Sequence, residues 1–291
     1  MHFNARQKTK CTRNFSGHFG RSESGVRSSP TCPHGRERPI TKTFTKAGKF
    51  FAAVLKSIVG HLFIVATPIG NLNDITLRAL ETLKTCDGIA CEDTRRTRIL
   101  LQEYGIDKPL ISCRARNEKE ASQKILQLLD AGKRISYVSD AGTPGISDPG
   151  SILTATARAA GHSITAIPGV SAFTAIVSIA GLPFKSVLFE GFLPQKGLKR
   201  KKRLAEILST GNACVLYESP YRIVKLFEEL CEVEKDLGLD KSGKKLHTVV
   251  GRELTKMHEE TIFGTAEEVL KKLQSSAHIK GEFCIFVTAK A

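Results

Sequence analysis

The sequence predicts an α/β fold with a mostly parallel sheet in its N-terminal part and a mixed sheet in its C-terminal part. Three observations carry this. From His61 to Ala180, short apolar runs alternate with helix-like segments, and strands joined through single helices pair in parallel. The runs end in loops of Gly, Pro and hydroxyl residues, and in α/β sheets ligands sit at the carboxyl ends of strands. After Gly181-Leu182-Pro183 the pattern changes. There His247–Leu254 and Glu259–Phe263 flank a short polar turn, as an antiparallel pair would. The 291 residues suffice for one large or two ordinary domains. The divisions expected are a segment 1–60 apart from the fold, a domain 61–182 and a domain 183–291.

The elements follow in order. Residues 1–46 lack apolar periodicity and are rich in Arg, Lys, Ser, Thr and Gly. A disordered basic tail, an organelle-targeting leader and an upstream-start artefact are the readings open for residues 1–60. Residues 50–59 are apolar enough for a short helix. His61–Ala66 is the first strand. Asp74 reads as N-cap of a helix carrying Ile75, Leu77, Ala79, Leu80 and Leu83 on one face. Gly88–Cys91 is a second strand, and the helix after it should bury Ile99, Leu100 and Leu101. Leu110–Cys113 is a third strand. Glu118–Leu129 is an amphipathic helix stopped by Gly132. Arg134–Val138 is the fourth strand, opening into SDAGTPGISDPG at 139–150. Helix Ile152–Ala160, strand Ser163–Ile167 and helix Phe173–Ala180 complete the first part.

In the second part, strand Val187–Leu193 precedes a basic loop, Pro194–Arg203, and a helix Leu204–Leu208. Strand Ala213–Glu218 precedes Ser219-Pro220, which reads as N-cap and N1 of a helix through Ile223 and Leu230. Helix Ala266–Leu273 follows, and strand Glu282–Val287 is expected to close the sheet. Phe189, Phe192 and Tyr217 read as core.

Charge is unevenly placed. The net charge is +15, but residues 1–60 hold twelve Lys/Arg against two acids, which leaves only about +5 for the rest. A nucleic-acid argument must therefore be local. No apolar run approaches the ~20 residues of a membrane span. The eight cysteines form no C-x-x-C pair and read as reduced thiols of a cytoplasmic protein, with no metal site.

Four loops follow strands on one expected edge: 67–74, 92–98, 139–149 and 168–172. Their small residues and hydroxyls suit backbone contacts to a compact polar cofactor. Neither a G-x-x-x-x-G-K-[ST] nor a G-x-G-x-x-G after the first strand is present, which argues against P-loop and ordinary NAD enzymes. Glu92-Asp93 stands at a strand end, with Arg95, Arg96 and Arg98 at a helix start. Cations there oppose the helix dipole and suit a polyanionic ligand; capping and local ion pairing is the other reading. In residues 195–203, six of nine are basic and none is acidic. They read either as a solvated face or as an RNA-backbone contact through Lys196, Lys199, Arg200, Lys202 and Arg203. Sparse aromatics give no support for base stacking in that stretch. Glu253 and Lys256 stand at a strand end, as edge residues or site residues.

Several stretches together carry a resemblance: LFIVATPIGNLNDITLRALETLK, IACEDTRRTRILL, YVSDAGTPGISDPG, AIPGVSAFTAIVSIAGLP, FEGFLPQKG, LYESPYRI, GRELTK and KGEF. Over about residues 61–288 the chain resembles the ribosomal RNA small-subunit methyltransferase I group of the tetrapyrrole methylase superfamily. The resemblance implies a two-domain tetrapyrrole-methylase-like fold, usually a homodimer. It implies S-adenosylmethionine as cofactor and 2′-O-methylation of a cytidine in 16S rRNA of the small ribosomal subunit. Gly142-Thr143-Pro144 stands where superfamily relatives have Gly-Asp-Pro. The cofactor contacts expected are Pro68, Asp140, Gly142, Thr143, Ser147, Ser171 and Ala172. Glu92, Asp93, Glu253 and Lys256 are the candidates for handling the hydroxyl proton or its alkoxide. The group's longer members carry a C-terminal extension beyond the point reached by Ala291. A small-molecule, tetrapyrrole-type methyltransferase and a non-catalytic RNA-binding protein of the same fold are the alternatives.

Overall fold

A computed structural model describes residues 59–195, 197–239, 241–276 and 279–290, all within one compact unit. The readings of residues 1–58, including most of the apolar 50–59 segment, lie outside the described residues, as do those of Lys196, Cys11 and Cys32.

The first sheet contains β1 (His61–Val65), β2 (Gly88–Cys91), β3 (Leu110–Ser112), β4 (Arg134–Val138) and β5 (Ser163–Ile167), in the order β3-β2-β4-β1-β5. Every pairing is parallel. Such a sheet needs cover on both faces. One face packs Phe63, Val65, Ile89 and Val138 against α1 (Leu77–Thr85) and α2 (Thr94–Glu103). The other packs Leu62, Ala90, Ile135 and Tyr137 against α3 (Glu118–Asp130) and α4 (Ser151–Ala159). Alternation along β1 and β4 thus sends neighbouring side chains to opposite layers.

The second sheet holds β6 (Val187–Phe192), β7 (Ala213–Glu218), β8 (Lys245–Arg252), β9 (Glu260–Thr265) and β10 (Phe283–Lys290), in the order β6-β7-β10-β8-β9. The β6–β7 pair is parallel and the other pairs are antiparallel, so the sheet is mixed. β10 does not close an edge; it runs through the middle, between β7 and β8. One face is covered by α6 (Gly197–Ser209), α7 (Ile223–Asp236) and α8 (Ala266–Ser275). The other receives α5 (Ala172–Ile179), whose Ile176 packs with Val215, Val249 and Phe286. α5 follows the first sheet in sequence yet lies on the second.

Several local expectations are corrected. Asp74 ends a short 3-10 turn, and Thr76 caps α1 through a bond from the Ala79 N–H. Ile99 is exposed, because α2 turns Thr97 and Leu101 inward. Ser219-Pro220 forms a turn in which the Ser219 carbonyl accepts from Arg222 and Ile223, so α7 starts at Ile223. The basic stretch 197–203 is helical, since its inward Arg200, Leu204 and Ile207 extend one buried face along α6. Phe192 is exposed at the end of β6. The six described cysteines are free thiols. Among the described residues, no helix is long and apolar enough to cross a membrane.

Candidate active site

The carboxyl-end loops of the first sheet are tied together. Thr67 and Gly142 exchange backbone hydrogen bonds of 2.9 and 3.0 Å, and Thr143 Oγ1 donates to the Val170 carbonyl at 3.1 Å. The loop after β4 is also held from beneath. Buried Glu118 directs Oε1 at the N–H groups of Gly150, Ile152 and Leu153, at 2.9, 2.9 and 3.1 Å. Those are the orphan donors at the start of α4, and a carboxylate suits both their hydrogen bonds and the helix dipole. Gly150 has φ 127°, and a Cβ there would lie 2.7 Å from the fully buried Tyr137 ring. In sequence, Glu118 looked like an ordinary residue of an amphipathic helix.

Between these loops and one edge of the second sheet lies a cleft of about 360 Å³, within the range of small-ligand sites. The first sheet contributes Ile69, Gly142, Thr143, Ser147 and Asp148, and the start of α5 adds Ser171 and Ala172. The second contributes Phe192, Tyr217, Glu253, Lys256 and Glu282 among others. Tyr217 bridges the layers: its hydroxyl accepts the Phe173 N–H at 3.1 Å, and burial pushes its pKa up to about 12. The loop at Gly70 meets the β8–β9 turn, where the Asn71 N–H donates to Thr255 Oγ1 at 3.1 Å. Among the described residues, three non-glycine residues have positive φ: Ser147 at 64°, Glu253 at 50° and Thr255 at 67°. Ser147 and Glu253 line the cleft, and Thr255 makes this contact. Strained backbone of that kind persists where the surroundings impose it and gathers at functional sites.

The expected residues divide. Gly142, Thr143, Ser147, Ser171, Ala172, Glu253 and Lys256 line the cleft. Pro68, Asp140, Glu92 and Asp93 are not among its walls. Asp140 joins loops instead, accepting the Asp93 N–H at 2.9 Å and pairing with Arg96 at 3.3 Å. Asp93 caps α2 and binds exposed Arg95 at 3.0 Å, which holds its carboxyl well below the usual range. Arg95 and Arg96 thus have local acidic partners.

The carboxylate that the β4 loop does present to the cleft is Asp148. Burial, then the charge of Glu92, pushes its pKa up to about 6. The Ser139 hydrogen bond works the other way. Lys256 Nζ donates to Glu253 at 2.9 Å and Glu282 at 3.0 Å. Burial acts to lower the Lys256 pKa, but these partners override it and raise it. Burial acts to raise Glu253, but Lys256 and the Glu282 N–H override it and lower it. Glu253 and Lys256 are therefore a fixed ion pair, whereas the proton affinity of Asp148 is raised toward neutrality.

The basic segment is also sorted by the fold. Arg200 is buried and bonded to Glu229 at 2.8 Å, which removes it from any phosphate surface. Arg203 holds Glu190 at 2.7 Å. Lys199 and Lys202 are exposed and have no ion pair among the described residues.

Small residues and hydroxyls on one wall, with carboxylates and a lysine on the other, fit a compact ligand carrying both cationic and hydroxyl groups. Two unlike sheets enclosing a cleft at the strand ends are the architecture of solved methyltransferases of the tetrapyrrole type. The chain belongs to the Tetrapyrrole (Corrin/Porphyrin) Methylases, whose family model matches residues 61–270. Within that family it belongs with the proteins named ribosomal RNA small subunit methyltransferase I. The one from Borrelia garinii subsp. bavariensis is 48% identical over 228 residues, spanning 78% of this chain and 98% of that protein. The one from Thermotoga maritima is 39% identical over 232 residues, spanning 80% and 100%. Among solved structures, a cobalamin biosynthetic cobalt precorrin-4 methyltransferase superposes with a TM-score of 0.58 at 17% identity, covering 78% of this chain and 94% of that one. Uroporphyrin III C-methyltransferase from Thermus thermophilus gives 0.54 at 16%, covering 79% and 97%. These last two likenesses concern the fold alone.

Proposed function

We propose that this protein transfers a methyl group from S-adenosylmethionine to the 2′-hydroxyl of a cytidine in 16S rRNA of the small ribosomal subunit. The relatives' names support the rRNA substrate. The observation that carries the transfer reading is the cleft in which Thr143, Ser147, Asp148 and Ser171 face Glu253 and Lys256. Bound there, S-adenosylmethionine would supply an electrophilic methyl group on a sulfonium.

The protein's residues have three tasks. Gly142, Thr143, Ser147, Ser171 and Ala172 would hold the cofactor next to the attacking hydroxyl, since positioning is the main task of such a transfer. Asp148, ionised above about pH 6, accepts the hydroxyl proton, since a base works best near the operating pH. Lys256, kept protonated by Glu253 and Glu282, stabilises the developing alkoxide. Lys199 and Lys202 contact phosphates. The same proposal includes a homodimer acting in the bacterial cytoplasm, with a division of the fold at residues 182–183, between the strands of the two sheets.

The test is incubation with labelled S-adenosylmethionine and small ribosomal subunits from a strain lacking this protein. Label at one cytidine 2′-oxygen is expected. Label on a base, on a tetrapyrrole added in competition, or nowhere would overturn the reading.

A further inference from the structure

We propose that the mouth of the cleft is a stacking platform for unpaired nucleobases, built from Tyr221, Met257 and Phe192. It rests on the RNA-substrate reading above and adds where the bases beside the reacting ribose are held.

Strand register puts the relevant loops on one edge. Phe192 pairs with Tyr217, and Phe283 pairs with both Glu218 and Arg252, so the carboxyl ends of β6, β7 and β8 stand level. Phe192 lines the cleft directly, Tyr221 follows cleft-lining Pro220, and Met257 follows cleft-lining Lys256. These three side chains are 57%, 95% and 94% exposed. Large apolar side chains left in water on or next to the lining of a site mark a surface that something covers. The substrate's reacting group must enter by this mouth, so the substrate meets the rim.

Charge selects the occupant. The acids on this edge are held by local partners: Glu253 and Glu282 share Lys256, Glu218 pairs with Arg222, Glu260 with Arg252, and Glu259 accepts the Thr255 N–H. Lys199 and Lys202, on the helix that leaves the same edge after β6, have no ion pair among the described residues. Aromatic faces beside uncompensated cations are the combination that binds single-stranded nucleic acid: the cations track phosphates, and the rings stack on any base. The sequence concealed this, because Phe192, Tyr221 and Met257 come from a strand end and two separate turns.

The test uses single-stranded RNA carrying 2-aminopurine, with the intact protein and its Tyr221→Ala, Tyr221→Phe and Met257→Ala variants, over a salt series. Stacking should alter the probe's fluorescence. Tyr221→Ala should weaken binding about tenfold without changing the salt slope, because stacking releases no counterions. Tyr221→Phe should bind like the parent. The KM for small subunits should rise in parallel, while cofactor affinity stays level. Unchanged RNA binding by Tyr221→Ala would overturn the platform, as would unchanged binding together with loss of a dimer on sedimentation, which would make the patch a contact between copies. The two proposals separate cleanly. A parent protein that methylates rRNA while Tyr221→Ala matches it in probe binding and KM sinks only the platform. A parent that methylates no rRNA but stacks the probe through Tyr221 sinks only the rRNA reaction.

Discussion

Asp148 is a carboxylic acid whose surroundings resist its charge. With a folded value of about 6 against about 3.9 for an unperturbed aspartate, the native state holds a proton that the unfolded chain has released. The linkage sign follows. The stability this group contributes is full below the unfolded value and is lost as pH rises through about 6. Asp148→Asn should therefore raise the Tm of the cofactor-free protein at pH 8 and leave it nearly level at pH 4; calorimetry at the two pH values checks this. Methyl transfer should move oppositely, rising through pH 6 in the parent and falling by at least about 100-fold in Asp148→Asn. A pH–rate profile that kept its limb in the variant would exclude Asp148 as base. The sequence reading chose Asp140 from this loop and passed over Asp148, yet Asp148 is the one that lines the cleft. What separates them is spatial: Arg96 and the Asp93 N–H engage Asp140, whereas Glu92 and burial act on Asp148.

At the scale of elements, strand positions were legible because β1, β2, β4 and β7 are short apolar runs bounded by turn residues. The starts of α3 and α8, at Glu118 and Ala266, were legible too, but those of α1, α6 and α7 were not, because caps depend on which polar side chain reaches the backbone. The role of Glu118, at the start of one helix and beneath the next, could not be read from periodicity. Its removal should be costly: Glu118→Ala leaves three N–H groups without their acceptor and should lower unfolding free energy by about 3 kcal/mol, measured by urea titration. Glu118→Gln should recover part of it. Helix α6 gives a second case. A run of basic residues does not say which of them faces inward, since the partner of Arg200 lies on α7. Arg200→Ala should cost about 3 kcal/mol of stability by stranding buried carboxylates, whereas Lys199→Ala with Lys202→Ala should leave Tm unchanged.

For the whole molecule, that double variant should appear in RNA binding as a salt slope shallower by about 1.4, two phosphate contacts at ~0.7 each for a single strand; filter binding at several salt concentrations measures it. A slope equal to the parent's would remove α6 from the RNA surface. The two-sheet plan was legible because parallel and antiparallel connections leave different spacings in the chain. The path of β10 was not, because the final strand carries no mark of where it inserts. That central insertion sets an order of assembly. During synthesis from the N-terminus, β1–β5 can pair while later residues are still unmade, but β7 and β8 lack their common neighbour until Phe283 onward has emerged. Chains stalled before Phe283 should resist protease over residues 61–167 and be cut within 172–265, since α5 packs on the second sheet. Because Glu282, Phe283 and Cys284 also wall the cleft, the nascent chain completes its ligand site only as β10 threads home between β7 and β8.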